Sequence, residues 1–117
     1  NHIMENIIYN ELRSRGYHID VGMVEQRGVD KEGKTIRKQL EVDFVANQGS
    51  LRYYIQSAFA MPDDDKIKQE TASLLKINDS FRKIIIVKDD IMPKRDENGI
   101  VTIGIKDFLL NHNSLDY

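Results

Sequence analysis

The 117-residue sequence has no cysteine. That excludes a disulfide framework, a thiolate metal site and a cysteine nucleophile, and it suits a reducing compartment. Charge of one sign is not in surplus either. Seventeen Lys and Arg stand against nineteen Asp and Glu, a formal net charge of −2. A chain-wide basic footprint for nucleic acid is thereby excluded, whereas a local basic groove is not. No apolar run approaches the roughly 18 residues that a membrane-spanning helix needs. The opening Asn-His-Ile-Met-Glu-Asn lacks the character of a signal peptide. The expected location is the cytoplasm, with no membrane partner. There is no internal repeat, low-complexity tract or linker. What remains is an ordinary globular mixture, 40% apolar and 31% charged, sized for a single domain over residues 1–117 with one core. The first residue is Asn1 rather than Met, and the first turn already carries apolar residues in helical phase. The expectation is a segment of a longer polypeptide.

Ile3, Met4, Ile7, Ile8 and Leu12 recur at helical spacing and predict an amphipathic helix over about residues 2–15, stopped by Gly16. Tyr17, Ile19, Val21 and Met23 alternate with polar residues and predict a half-buried strand. Gly28 to Lys34 is turn chemistry. In the second strand Leu40, Val42, Phe44 and Ala46 are expected on one face, with Gln39, Glu41, Asp43 and Val45 on the other. After the turn Asn47-Gln48-Gly49-Ser50, a third strand runs from Leu51 to about Ala60. Tyr53, Ile55, Ser57 and Phe59 share one of its faces; Tyr54, Gln56, Ala58 and Ala60 share the other. Pro62 with Asp63 to Asp65 marks a helix start, and Ile67, Thr71, Leu74 and Leu75 form that helix's stripe. Phe81 opens the next element. Ile84-Ile85-Ile86-Val87 suits a strand covered on both faces. A polar loop over Asp89 to Gly99 leads to a strand from Ile100 to Ile105, then a short helix capped by Asp107. Residues 111–117 are expected to fray. The order αβββαβ, followed by a further strand and helix, gives an α/β fold: one mixed sheet flanked by helices.

Gly28-Val29-Asp30-Lys31-Glu32-Gly33-Lys34-Thr35 satisfies the phosphate-loop expression G-x-x-x-x-G-K-[ST]. A phosphate loop must leave a strand and enter a helix, so that backbone N–H groups cradle the anion. Here Thr35 enters an alternating strand, and Asp30 and Glu32 stand where phosphate would have to lie. A solvated hairpin turn is the expected outcome, with Lys31, Lys34, Arg37 and Lys38 as its modest basic face. His2, His18 and His112 have no metal-ligand spacing. Tyr53 and Tyr54 could stack on bases, although half-buried sheet aromatics are commoner.

A second constellation carries more chemistry. Glu5 lies on the first helix and Asp43 inside an apolar strand. Gln56 and Ala58 stand two residues apart on the next strand, hence on one face and about 7 Å from each other. A helix Glu, a strand Asp and an x-y-x pair on the neighbouring strand form the layout of a hard-cation site. There two carboxylates and a nearby oxygen hold Mg²⁺, and a Lys two residues on activates water. An acid among Val42, Phe44 and Val45 is costly unless it faces solvent or a partner.

This order of elements, together with Glu5, Leu40-Glu41-Val42-Asp43-Phe44-Val45 and Tyr54-Ile55-Gln56-Ser57-Ala58, resembles the PD-(D/E)XK, restriction-endonuclease-like fold. More narrowly, the chain is similar over about residues 3–110 to the C-terminal domain of unknown function of bacterial and archaeal AAA-type ATPases. The resemblance implies an accessory domain with an ATPase domain upstream in the same polypeptide, where any ATP would bind. It implies Glu5, Asp43 and Gln56 as a vestigial catalytic set, with Asp43 and Gln56 as the ligands of a Mg²⁺ cofactor. Active members carry Glu-x-Lys or Gln-x-Lys on the third strand; this chain has Gln56-Ser57-Ala58. The implied domain is catalytically degenerate, with nucleic acid or a protein as partner, unless Lys66 or Lys68 reaches in. An active Mg²⁺-dependent DNA nuclease and a pure protein-interaction module are the alternatives.

Overall fold

The computed structural model describes residues 2–58 and 64–117, with the backbone alone for residues 64–67. Phe59, Ala60, Pro62, Asp63 and the side chains of Lys66 and Ile67, all named above, lie outside the described residues. The elements are α1 (His2–Ser14), β1 (His18–Val29), β2 (Thr35–Gln48), β3 (Leu51–Ala58), α2 (Asp64–Leu75), β4 (Arg82–Val87), β5 (Lys94–Arg95), β6 (Val101–Gly104) and α3 (Ile105–Leu110). A 3₁₀ turn (Ser114–Asp116) follows. The sheet order is β1-β2-β3-β4-β6-β5. The pairs β1/β2, β2/β3 and β5/β6 are antiparallel, whereas β3/β4 and β4/β6 are parallel. The expected mixed α/β architecture is therefore present. Among the described residues no helix is long and apolar enough to cross a membrane.

Two apolar clusters sit on the two faces of the sheet. Met4, Ile8 and Leu12 of α1 and Phe108 of α3 join Phe44, Tyr53, Ile55, Ile84 and Ile86 in the first. Leu74 of α2 and the nearby Ile77 join Val42, Val45, Tyr54, Ala58, Ile85 and Val87 in the second. The β-branched run of β4 thus feeds both clusters, as a central strand of parallel pairs requires. α1 ends where Gly16 takes a φ of +89°, a conformation that favours glycine.

Several expectations are corrected. Strict alternation puts Leu40, Val42, Phe44 and Ala46 on one face, but Leu40 and Val42 pack into the second cluster and Phe44 and Ala46 into the first. The cause is a bulge. Val21 pairs with Phe44 and the next residue, Gly22, pairs with Val42, which leaves Asp43 as the extra residue of β2. On β1, Tyr17 and Ile19 pack as expected, while Val21 and Met23 are exposed and Val24 packs instead on the opposite face. β1 runs on to Val29, well past Met23, β2 begins at Thr35 as expected, and the turn between them shrinks to residues 30–34. Leu75 is exposed, because the chain turns just after α2 and sends Ile77 into the core in its place. The polar loop contains the edge strand β5. Asp107 does not cap α3: Gly104 is the N-cap, and the Asp107 carboxylate accepts from the Tyr117 hydroxyl at 2.8 Å. A Cβ on Gly104 would lie 2.5 Å from the Asp89 carbonyl oxygen, so the strand-to-helix corner admits only glycine.

The tail does not fray. Leu115 and Ser114 are buried. Tyr53 donates to Asp116 at 2.6 Å, and Arg82 donates to the Tyr117 carbonyl at 2.6 Å. From the end of α1, Arg15 lies over the Phe108 ring and donates to the carbonyls of Phe108, Asn111 and His112, where a cation complements the last turn of α3. These partners come from distant parts of the chain, which is why local composition predicted fraying.

Burial, and after it the hydrogen bond to Asp116, holds the Tyr53 hydroxyl far above the usual phenol range. Burial likewise raises Tyr17 and Tyr54. A pKa raised on folding contributes stability that is fully present below the unfolded value of about 10 and is lost as pH rises through the folded value. Stability to urea should therefore decline above about pH 10. Tyr53→Phe should lower stability at pH 8 by about 0.5–1.5 kcal/mol and shrink the alkaline decline. An unchanged alkaline decline in that variant would contradict the assignment.

Candidate functional site

The ladder between β2 and β3 stops at the pair Phe44 and Ile55. Beyond it β3 continues beside β4 as far as Ala58, while β2 stays with β1 alone. The two middle strands therefore separate, and each would leave backbone polar groups without partners at the fork. Side chains supply them. The Asp43 N–H donates to Gln56 Oε1 at 2.7 Å. Asp43 Oδ2 accepts from the Ser57 N–H at 2.8 Å and from Ser57 Oγ at 3.0 Å. Bulge residues re-aim side chains next to functional clefts, and Asp43 is such a residue. Across from it Gly22 has a φ of +99°, a conformation costly for any side chain.

A cleft of about 560 Å³ opens at this fork. Glu5, Asp43 and Gln56 all line it, so the structure brings together the three residues singled out in the sequence. Glu41, Gln69, Glu70 and Ser73 complete much of its wall. A second cavity of about 340 Å³ shares Glu5, Gly22 and Asp43 and continues along α1 past Asn6 and Tyr9. Gln56 is buried, Asp43 half-buried, and Glu5 lies 3.5 Å from His2 Nδ1. Among the described residues no Lys or Arg lines the cleft, and no three His, Cys, Asp or Glu side chains converge as metal ligands. Ala58, the last residue of β3 and the partner of Val87 on β4, is buried in the second apolar cluster. Lys68 is exposed and does not line the cleft.

The donor set available to a cation is therefore spare: a carboxylate oxygen of Asp43 and the second lone pair of Gln56 Oε1. Two such oxygens suit a Mg²⁺ ion that keeps most of its water or takes its other ligands from a phosphate, which is how Mg²⁺ is commonly held. Sequence spacing did not reveal Ser57, Gln69, Glu70 or Ser73. The helical spacing of Gln69, Glu70 and Ser73 gives α2 a polar face, and that is the signal that could have found them. Tyr53 and Tyr54 are buried and bonded to Asp116 and Asp79, hence core residues rather than base-stacking platforms. The phosphate-loop match lies on a hairpin turn, where Asp30 Oδ1 accepts from the N–H groups of Glu32 and Lys34.

No family model matches the chain. It is 33% identical over 107 residues to an uncharacterized protein of Haemophilus influenzae, covering 92% of this chain. The chain spans 22% of the length of that curated relative. Among solved structures it is similar to the small subunit of the heterodimeric restriction endonuclease R.BspD6I. The TM-score is 0.59 over 97% of this chain and 75% of that one, at 12% identity. The fold is restriction-endonuclease-like.

Gln56→Leu leaves the Asp43 N–H without an acceptor, and Asp43→Ala leaves the Ser57 N–H and hydroxyl without theirs. Each should cost about 1–3 kcal/mol in urea unfolding. The double variant should cost less than the sum, because the two share one network. Variants as stable as the parent would show that these bonds do not hold the fork.

Proposed function

We propose that this chain is an accessory domain of a longer polypeptide, built on a nuclease scaffold, that contacts nucleic acid without cutting it. The observation that carries the proposal is the burial of Ala58 in an apolar cluster, together with a cleft wall that has no Lys or Arg among its described residues. A water-activating or charge-stabilising ammonium at that point is worth about 10²–10⁴-fold in rate. The groups that remain, Glu5, Glu41, Asp43 and Glu70, are all acidic. They repel phosphate unless a divalent cation stands between. Asp43 and Gln56 would hold that Mg²⁺, which would supply charge neutralisation for a phosphate lying in the cleft. Glu5 would orient its water.

The great length of the Haemophilus relative supports a parent chain with other domains. We read the upstream part as an AAA-type ATPase. The phosphate-loop match forms a hairpin turn, so in this reading ATP binds the upstream part and not this chain.

Supercoiled plasmid or branched DNA incubated with the 117-residue chain and either Mg²⁺ or Mn²⁺ should remain uncut, and ATP should not bind it. Cleavage that disappears in Asp43→Ala would overturn the degenerate reading in favour of an active nuclease.

A further inference from the structure

Past the fork, residues 22–29 of β1 and 35–42 of β2 continue as a two-stranded ribbon, with no third strand beside them among the described residues. At about 3.3 Å per residue the ribbon is roughly 25 Å long. It helps to make the radius of gyration 14.6 Å, above the roughly 13 Å of a compact chain of this length. One face rests near α2, where Gln26 donates to the Lys76 carbonyl at 3.1 Å and accepts from the Asn78 N–H at 2.7 Å. The other face, with Glu25, Arg27, Val29, Thr35, Arg37 and Gln39, is exposed throughout.

Charge is distributed very unevenly. Residues 27–38 carry five basic and two acidic side chains, a net of +3. The other 105 residues carry twelve basic and seventeen acidic, a net of −5. Arg27 stands directly opposite Arg37 in the ladder, and like charges at such a pair are destabilising. Glu25 relieves Arg37 at 3.3 Å. Among the described residues, the side chains of Arg27, Lys31, Lys34 and Lys38 have no ion-pair or hydrogen-bond partner. Asp30, the nearest acid, is engaged by the backbone of its own turn. The ribbon therefore sustains an uncompensated repulsion in the free protein that an anionic partner would relieve.

We propose that this ribbon is the arm by which the domain grips a nucleic-acid duplex, with Arg27 on its open face and Lys34 at its turn on phosphates. This rests on the nucleic-acid reading above and assigns its contact surface. A two-stranded ribbon fits the major groove of a duplex, about 12 Å wide. The acidic cleft at the ribbon's base does not favour phosphate without a cation, so the arm supplies the attraction that the cleft lacks. Duplex recognition of this kind is driven by phosphate neutralisation and counterion release.

The test is fluorescence anisotropy of a labelled DNA duplex at several salt concentrations. It compares the chain with Arg27→Gln/Lys34→Gln and with a charge-matched control, Lys94→Gln/Lys106→Gln, whose residues are exposed elsewhere. The arm variant should bind about tenfold more weakly, with a salt slope lower by roughly 2, about one for each lost phosphate contact. The control should bind nearly as the parent does. The thermal midpoint of the arm variant should equal or exceed the parent's, because a like-charge pair has been removed; this separates lost binding from lost folding. Equal weakening in both variants would overturn the arm while leaving the nucleic-acid reading intact. No duplex binding by the parent, or binding of phosphatidylserine vesicles instead, would overturn both.

Discussion

Three hydrogen bonds at one point of the sheet decide the shape of this molecule. Where β2 leaves β3, the Asp43 N–H meets the Gln56 side chain, and the Asp43 carboxylate meets the Ser57 N–H and hydroxyl. A sheet split between two strands normally exposes or strands backbone donors, and an unsatisfied buried donor costs about 1–3 kcal/mol. Here side chains stand in for the missing rung. The bulge at Asp43 lets Val42 and Phe44, two residues apart, serve opposite cores. The cleft that Asp43 and Gln56 line and the emergent ribbon both follow from that local break.

Asp43 and Gln56, the oxygen-bearing side chains of the cleft floor, are thus employed in holding the fork together. Removing Asp43 damages the fork whether or not any cation ever binds. Electrostatics then separates the molecule into two parts: an acidic cleft without a lining cation among its described residues, and a ribbon with a net charge of +3.

Much of the fold was legible because it rests on local periodicity. The faces of β3, the two-sided burial of Ile84 to Val87 and the helix ending at Gly16 follow from spacing alone. The face of β2 was misjudged because a bulge shifts the phase by one residue and leaves no strong mark in composition. The weak mark is Phe44-Val45-Ala46, three apolar residues in a row after Asp43, where alternation fails. The tail was misjudged because its partners, Arg15, Tyr53 and Arg82, come from elements remote in sequence. In the cleft, Glu5, Asp43 and Gln56 were legible as residue types at telling positions, while Ser57 and the polar face of α2 came only with the fold. Arg27 escaped notice because its cross-strand neighbour Arg37 lies on the other arm of the hairpin.

The central claim is that side chains replace the ladder at the fork. Amide hydrogen exchange read residue by residue in NMR tests it most directly. The Asp43 and Ser57 N–H groups should exchange as slowly as the neighbouring ladder amides of Phe44 and Ile55. In Asp43→Ala the Ser57 amide should exchange much faster while Ile84 to Val87 keep their protection. Rapid exchange of both fork amides in the unaltered chain, at the rate of free backbone, would contradict the account.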